Sequence, residues 1–366
     1  MSKLRVGVLF GGRSGEHEIS LRSARSVIQA FDLDRYEVVP VGIDKQGRWL
    51  LGEASQRLLA GAAAELTQTA LVAMEPVAGI VPRTESLLNL DVVFPVLHGP
   101  LGEDGTVQGL LELADVAYVG CGVLASAVAM DKAVCKALFA AHGLPQAPYL
   151  TLLRKSWEAD PEGVLKFVEN QLTYPMFIKP ANLGSSVGIS KAKNREQLAV
   201  AIHEAARYDR KLVIEAGIDA REIEVSVLGN DEPIASVPGE VVPAREYYDY
   251  AAKYIDDDSE LLIPAPLTTD QQAEVQRLAV QAFRIVDGAG MARVDFLLDR
   301  NSGQVYINEI NTIPGFTSIS MYPKLWEASG LPFSRLIDRL IELARERQQD
   351  RARSETSFAP RDSETP

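Results

Sequence analysis

The sequence is poor in cysteine and has no long apolar run. Its two cysteines, Cys121 and Cys135, are too few for a disulfide framework and lack the spacing of metal ligands, so we expect buried free thiols. No stretch of about 18 apolar residues is present, which argues against a membrane-spanning helix. Residues 1–8 also lack the regions of a signal peptide, so we expect a cytoplasmic protein with no membrane partner.

Basic residues are in the minority. The sequence has 37 lysines and arginines but 50 aspartates and glutamates, which gives a formal net charge of −13 at pH 7. No run of basic residues occurs. Nucleic-acid binding requires a basic patch, so this composition argues against a nucleic-acid partner. A small anionic substrate is compatible with it, because a few lysines and arginines can gather locally. The length of 366 residues favours two or three domains.

Strands and helices alternate in the first third of the chain. Apolar runs at residues 4–10, 36–43 and 92–97 predict buried strands, residues 16–31 predict a helix, and another helix ends near residue 114. Such alternation is typical of a parallel α/β sheet. We place an N-terminal α/β domain at residues 1–121 and predict one helix over residues 126–142, closed by Gly143.

The pattern then changes to short strands that favour antiparallel pairing with helices on one side, an α+β arrangement. The predicted elements are strands at residues 175–180, 188–191, 211–215, 222–228, 292–298 and 304–311, and helices at 195–207, 269–288 and 333–347. A long loop rich in tyrosine and aspartate covers residues 246–262. We place a central domain at 122–215, a C-terminal domain at 216–347 and a charged, disordered tail at 348–366.

Two glycine-containing loops follow predicted strands. Residues 11–16 (GGRSGE) lack the glycine spacing of dinucleotide-binding loops, but they allow a tight strand-to-helix turn whose N–H groups face a ligand. The alternative is that Glu16 and Glu18 only place favourable charge at a helix N-terminus. In residues 177–188 (FIKPANLGSSVG), Lys179 ends a strand and a loop with Ser185 and Ser186 follows. The N–H groups and hydroxyls of such a loop can surround phosphate oxygens. The alternative is a plain hairpin turn.

The strands at residues 292–298 and 304–311 carry the strongest pattern. If Leu298 pairs with Gln304, one face of this hairpin holds four polar side chains, those of Arg293, Asp295, Glu309 and Asn311. Two carboxylates and an amide oxygen suit magnesium shared with phosphate oxygens, and the arginine suits an oxyanion. This register also places Leu297, Val305 and Ile307 on that face and Asn308 opposite, so a merely solvated polar face fits poorly.

Three glutamates and a histidine are weaker candidates. Alternation places Glu222 and Glu224 on one strand face, which an exposed strand explains equally well, and Glu215 ends the strand before it. His98 ends a strand before the acidic loop at residues 102–105, at the edge where parallel sheets bind ligands. A lone histidine in such a place is nevertheless more often structural than catalytic.

Four motifs in this order resemble those of the D-alanine–D-alanine ligase family. They are GGRSGEHEIS at residues 11–20, HGPLGEDGT at 98–106, RVD at 293–295 with NEINT at 308–312, and PGFTSISM at 314–321. The resemblance covers residues 4–347 and implies the ATP-grasp fold, in which two α+β domains clamp ATP behind an N-terminal α/β (pre-ATP-grasp) domain. It also implies the ATP-dependent joining of two D-alanine molecules through an acyl phosphate, for peptidoglycan precursor synthesis.

The resemblance assigns roles by position. It implies that ATP contacts Lys132, Lys179, Ser185, Ser186, Glu215, Ile218, Glu222 and Lys253. It implies that D-alanine contacts Glu16, His98, Arg293, Gly315, Ser320 and Met321. Two magnesium ions, or manganese in their place, would be held by Asp295, Glu309 and Asn311. Tyr254 would close the site through hydrogen bonds to Ser185 and Glu16, and these three residues count as catalytic together with Arg293 and Gly315.

Three alternatives stay open at this point. A D-alanine–D-lactate ligase would share the fold, although lactate-forming relatives depart from the pair Lys253 and Tyr254 found here. Another ATP-grasp ligase would act on a different amino acid. A nucleotide-binding regulator without turnover would not require the intact set of Lys179, Arg293 and the three metal ligands. The resemblance further implies a homodimer.

Overall fold

The computed structural model describes residues 3–60, 89–184, 187–242 and 260–355. Ser185, Ser186, Lys253 and Tyr254 therefore lie outside the described residues, as do residues 246–259 of the predicted loop and the end of the predicted tail. Among the helices in the described ranges, none combines the length and hydropathy needed to cross a bilayer. Cys121 and Cys135 are both buried free thiols, as predicted.

A five-stranded sheet forms the N-terminal part. Its elements are β1 (Leu4–Gly11), α1 (His17–Ala30), β2 (Tyr36–Ile43), β3 (Trp49–Leu50), α2 (Gly52–Leu59), β4 (Val92–Pro95), α3 (Thr106–Leu113) and β5 (Ala117–Tyr118). The strand order is β3-β2-β1-β4-β5, and β3 alone in this sheet is antiparallel to its neighbour. Val8 and Phe10 face one core and Leu9 faces another, so apolar layers cover both faces. The predicted parallel α/β sheet is confirmed.

The central part contains a four-stranded antiparallel sheet of order β6-β9-β7-β8. Its elements are α4 (Val123–Met130), α5 (Lys132–Ala141), β6 (Tyr149–Leu153), α6 (Arg154–Ala159), α7 (Pro161–Gln171), β7 (Met176–Pro180), β8 (Ser190–Ala192), α8 (Arg195–Tyr208) and β9 (Lys211–Ala216). Helix α8 buries Leu198 and Ile202 against Ile178 of β7, and this apolar face holds the sheet and helix together.

The C-terminal part is built on a second, larger antiparallel sheet. Its elements are β10 (Ala220–Gly229), β11 (Ile234–Ala235), β12 (Gly239–Val242), β13 (Glu260–Leu262), α9 (Thr269–Ile285), β14 (Gly290–Asp299), β15 (Val305–Asn311), α10 (Met321–Ala328) and α11 (Phe333–Arg351). The order is β13-β12-β10-β14-β15, with β11 beside β10. The mixed α/β and α+β organisation expected from the sequence is therefore present.

The last helix returns to the first sheet. Leu336 and Leu340 of α11 share one buried cluster with Phe10 and Phe94 of the N-terminal strands. Asp338 strengthens this contact, because its carboxylate accepts a hydrogen bond from the Tyr36 hydroxyl at 2.8 Å and forms an ion pair with Arg35. The N-terminal sheet is thus covered by the end of the chain.

Three predicted boundaries are wrong. Residues 126–142 were expected to form one helix, but α4 ends at Met130 and α5 begins at Lys132, because Asp131 takes an extended conformation between them. Its carboxylate accepts hydrogen bonds from the N–H groups of Ala133 and Val134 and so caps α5. Helix α11 also continues to Arg351, four residues into the tail predicted as disordered, and Glu260–Leu262 of the predicted loop form a strand.

Replacing Asp131 should lower stability. Asp131→Ala removes the cap of α5 and the ion pair with Lys211, so we expect a loss of about 0.5–2 kcal/mol in the free energy of unfolding. Asp131→Asn keeps an oxygen for the cap and should lose less. Urea unfolding of the three proteins measures the difference, and an Ala variant as stable as the parent would contradict the capping role.

Candidate active site

A polar cavity of about 190 Å³ lies where the three parts of the chain meet. The predicted site residues among its lining are Glu16, His98, Lys132, Arg293, Glu309, Asn311, Gly315, Ser320 and Met321. The cavity is smaller than the roughly 300–1,000 Å³ of pockets that hold drug-sized molecules, so it suits a small polar ligand.

The turn after β1 brings Glu16 to the cavity. Gly11 has a φ of +92°, and a Cβ there would lie 2.1 Å from the carbonyl oxygen of Ile43, so both the backbone conformation and the space require glycine. Gly99 has the same role on the facing loop, because its Cβ would lie 2.7 Å from Oε2 of Glu16. The glycines therefore let two loops close around a buried carboxylate.

His98 and Glu103 form a buried acid–base pair beside Glu16. The His98 Nδ1 lies 3.4 Å from Oε1 of Glu103 and 3.2 Å from the carbonyl oxygen of Ile313. Burial lowers the pKa of the imidazole, but Glu103 and Glu16 outweigh it, and the pKa is raised on balance. Burial raises the pKa of the Glu103 carboxyl to about 7. The sequence did not identify Glu103 as a partner of His98.

Two lysines reach the site from the central part. Lys132, the first residue of α5, donates from Nζ to the carbonyl oxygen of Leu183 at 2.6 Å. Lys179 on β7 lies deeper and donates to Oε2 of Glu215 at 2.8 Å and to Oδ1 of Asn308 at 3.3 Å. Burial alone would raise the pKa of the Glu215 carboxyl. The positive charges of Lys179 and Lys136 have the larger, opposite effect, and the pKa is lowered to about 2.

The hairpin of β14 and β15 has a different register from the predicted one. Leu298 pairs with Val305, not with Gln304, and a bulge beside Phe296 leaves Asn308 as an extra residue on β15. Val305 and Ile307 consequently face the apolar core, and Asn308 faces the lysine side, which is the reverse of the prediction. The extra residue shifts the phase of the alternation, so the core-facing residues are Val305 and Ile307 before the bulge and Ile310 after it. The adjacent polar residues Asn308 and Glu309 are the sign of this shift in the sequence.

Despite the bulge, the four polar side chains predicted to share one face of the hairpin lie in directly opposed pairs. Arg293 lies directly opposite Asn311, and Asp295 lies directly opposite Glu309. Arg293 donates two hydrogen bonds of 2.7 Å to the Asp295 carboxylate. Its Nε, which donates one of these bonds, also lies 3.0 Å from Oε2 of Glu224 on β10 and forms an ion pair with it. The predicted face of four polar side chains is present, and Glu224 joins it because β10 pairs with β14.

The donor set of this face fits a divalent cation that is shared with a substrate. Asp295 and Glu309 supply two facing carboxylates, and Glu309 and Asn311 open into the cavity. In the part of the chain that the structure describes, no group of three or more His, Cys, Asp or Glu side chains forms a self-contained metal site. Magnesium is commonly held by one or two carboxylates together with substrate phosphates, and this arrangement matches that chemistry.

The far wall of the cavity is a loop that leads into α10. A Cβ on Gly315 would lie 3.0 Å from Oγ of Ser320, so glycine keeps the N–H side of this loop open. Ser320 stands at the N-cap of α10; its hydroxyl oxygen accepts a hydrogen bond from the N–H of Thr317 and shares another with the Thr317 hydroxyl. Helix N-termini attract anions, so Ser320 and Met321 are suited to bind a carboxylate.

The remaining predicted residues are placed as follows. Asp295 and Glu222 lie on β14 and β10, and Lys179 and Glu215 lie on β7 and β9, next to the cavity but not in its lining. Ile218 lies between β9 and β10. Ser185, Ser186, Lys253 and Tyr254 lie outside the described residues. Glu224, a weaker candidate from the sequence, lines the cavity, whereas the sequence did not single out Lys136 and Glu103.

Comparisons with known proteins decide the family. Models described as D-ala D-ala ligase N-terminus and D-ala D-ala ligase C-terminus match residues 5–121 and 138–342. The chain belongs to the D-alanine–D-alanine ligase family. The D-alanine--D-alanine ligase of Heliobacterium modesticaldum is 56% identical to this ligase over 365 residues, which are 99% of this chain and 100% of the relative.

Solved structures agree with this family. The D-alanine-D-alanine ligase from Coxiella burnetii aligns with a TM-score of 0.81 at 38% identity, covering 96% of this chain and 97% of that chain. The VanG D-Ala:D-Ser ligase from Enterococcus faecalis also aligns with a TM-score of 0.81. Its identity is 35%, and the alignment covers 94% of this chain and 100% of that chain. The ATP-grasp fold predicted for this ligase is therefore confirmed.

The buried pair predicts a measurable titration in this ligase. Glu103→Gln removes the carboxylate that raises the pKa of His98 and leaves burial in place, so the His98 pKa should fall. Histidine-selective NMR can follow it, because the chain has only four histidines. Asp104→Asn is the matched control, since that carboxylate accepts from backbone N–H groups of its own loop instead of from His98. An unchanged His98 titration in Glu103→Gln would disprove the coupling.

Proposed function

We propose that this ligase joins two D-alanine molecules to D-alanyl-D-alanine, with ATP converted to ADP and phosphate, for peptidoglycan precursor synthesis. The observation that carries the proposal is the single small cavity into which Glu16, Lys132, Arg293 and Glu309 all project from separate parts of the chain. These groups offer one anion for an ammonium, cations for phosphate and a hydrogen-bond donor for an oxyanion.

The first D-alanine binds at the N-terminal wall. The buried Glu16 carboxylate pairs with its ammonium, and His98 lies next to this position. Pairing a buried carboxylate with an ammonium is favourable because each charge is otherwise costly to hold away from water. The substrate carboxylate is then directed towards the lysines and the β14–β15 hairpin.

The first step activates this carboxylate. A carboxylate oxygen attacks the γ-phosphorus of ATP, the bond to the β-phosphate oxygen breaks, and D-alanyl phosphate and ADP result. Lys132 and Lys179 bind the phosphates, Glu215 and the backbone near Ile218 bind adenine, and Glu222 binds the ribose. Asp295, Glu309 and Asn311 would hold two magnesium ions, or manganese, which when bound offset the charge on the phosphoryl oxygens.

The second step forms the peptide bond. The deprotonated amine of the second D-alanine attacks the acyl carbon, and the bond from that carbon to the phosphate oxygen breaks. Phosphate leaves with the electron pair and takes up the proton that the nitrogen loses. Arg293 and the N–H of Gly315 stabilise the oxyanion of the tetrahedral intermediate. The carboxylate of the second D-alanine binds at Ser320 and Met321, where α10 presents its free N–H groups.

An acyl phosphate must be kept from water, so the site requires a cover. Family resemblance gives this role to Ser185 and Ser186 of the glycine-containing loop and to Lys253 and Tyr254, with Tyr254 linked to Ser185 and Glu16. We also propose that the ligase acts in the cytoplasm as a homodimer, as that resemblance implies.

One structural neighbour raises a second candidate acceptor. VanG is a D-Ala:D-Ser ligase that is 35% identical to this chain over an alignment covering 94% of this chain and all of VanG. Phosphate release should be measured with ATP and magnesium plus D-alanine, L-alanine, or D-alanine together with D-serine or D-lactate. We expect release with D-alanine alone and D-alanyl-D-alanine as the main product in each mixture. A preference for D-serine or D-lactate would reassign the acceptor.

The metal assignment predicts the effect of Glu309→Gln. The side chain keeps its shape but loses its charge, so folding should survive while turnover falls by roughly two orders of magnitude or more. Turnover is measured by phosphate release over a magnesium titration. Glu327→Gln, on the exposed side of α10, is the matched control and should behave as the parent. Parent-like turnover of Glu309→Gln at saturating magnesium would remove Glu309 from the metal site.

A further inference from the structure

A buried charge cluster between α5, β7 and β9 contains more cations than anions. Glu215 has Lys179 Nζ at 2.8 Å from Oε2 and Lys136 Nζ at 3.1 Å from Oε1. The side chains of Lys136, Lys179 and Glu215 are only 3%, 12% and 4% exposed. A single carboxylate therefore has one lysine on each of its two oxygens, away from water.

Lys136 is placed to act on Glu215 and not on a ligand. It lies one helical turn after Lys132 on α5 but, unlike Lys132, it does not line the cavity. Its ammonium lies 5.4 Å from the centre of the Tyr149 ring. Its contact with Glu215 has the distance of an ion pair without the alignment of a hydrogen bond, so the lysine contributes charge more than direction.

The charge count determines what Lys179 can do. A lone pair of Lys179 and Glu215 would be neutral, and a phosphate would compete with a buried carboxylate for the same ammonium. Withdrawing Lys179 would then leave Glu215 unpaired in a region where an isolated charge is costly. Lys136 removes this conflict, because the cluster of three carries one net positive charge and Glu215 keeps a partner.

Other carboxylates make the second lysine more necessary. Burial lowers the pKa of Lys179, but Glu215, Glu309 and Glu222 more than offset it and raise the pKa on balance. Three carboxylates thus hold the Lys179 ammonium in its present place. The charge on Glu215 is the closest of them, and it is the one that Lys136 offsets.

We propose that Lys136 is a positioning residue for nucleotide binding, which neutralises Glu215 so that Lys179 can turn its hydrogen bonds to an ATP phosphate. The inference rests on the proposed function for the role of ATP. It predicts that Lys136 affects the affinity for ATP only because it offsets the charge of Glu215. Removing the Glu215 charge should therefore remove most of the need for Lys136.

A double-mutant cycle tests this dependence. ATP affinity is measured by calorimetry with magnesium and without D-alanine for the parent, Lys136→Met, Glu215→Gln and the double variant. We expect Lys136→Met to weaken ATP binding roughly ten- to a hundred-fold in the parent and less than about three-fold in the Glu215→Gln background. Equal losses in both backgrounds, or no loss in the parent, would overturn the proposal.

Further measurements separate positioning from folding. The KM for D-alanine at saturating ATP should change little in Lys136→Met, and Lys136→Arg, which keeps the charge, should restore most of the ATP affinity. Lys191→Met removes a positive charge elsewhere on the same sheet, above the Phe177 ring, and serves as the control. If Lys136→Met does not fold, the comparison is made between Glu215→Gln and the double variant alone. A ten-fold difference in ATP affinity between these two proteins would overturn the proposal.

The same experiments keep the two proposals distinguishable. Phosphate release by the parent protein with D-alanine tests the proposed function before any variant is made. If the parent is inactive but binds ATP, the cycle still tests Lys136. If the parent is active and the cycle shows equal losses, the function stands and Lys136 acts by another route.

Discussion

The pairing of β14 with β10 on one side and β15 on the other is the constraint on which the active site depends. The three strands bring Glu224, Asp295 and Glu309 next to one another, and Arg293 lies among them with hydrogen bonds to Asp295 and an ion pair to Glu224. Like charges this close repel, and burial increases the repulsion. Arg293 offsets part of it now, and a bound cation would offset the rest, so the sheet register and the charge balance depend on each other.

A similar balance holds on the lysine side of the site. Lys136 and Lys179 share Glu215, and Lys179 reaches Asn308, the extra residue of the bulge in β15. The bulge thus connects the central sheet to the face that holds Asp295 and Glu309 through one amide. A nucleotide bound between these groups would contact side chains whose positions are already fixed by charges and hydrogen bonds. This lowers the entropy cost of ordering side chains on binding.

Much of this could be predicted from the sequence, for physical reasons. Buried parallel strands are continuous apolar runs, so β1 and β2 were recognisable, and alternation in β14 identified the polar face of Arg293 and Asp295. The break at Asp131 was missed because the residues on both sides have helical composition. The bulge at Asn308 was missed because an uninterrupted register was assumed, although the adjacent polar residues Asn308 and Glu309 break the alternation. Lys136 and Glu103 gain their meaning from partners on other elements, and nothing local to them indicates it. Alternation did place Glu224 on a candidate strand face, but its partner Arg293 lies on another strand.

The cover that α11 places on the N-terminal sheet has a consequence for synthesis. Phe10 and Phe94 are made early, but the helix that carries Leu336, Leu340 and Asp338 is translated long after them. During elongation the part of this apolar sheet face that α11 later covers therefore stays exposed until α11 has been made. Such faces attract chaperones and promote association between unfinished chains. Synthesis and docking of α11, more than pairing of the N-terminal strands, is therefore the event that protects this part of the sheet from aggregation.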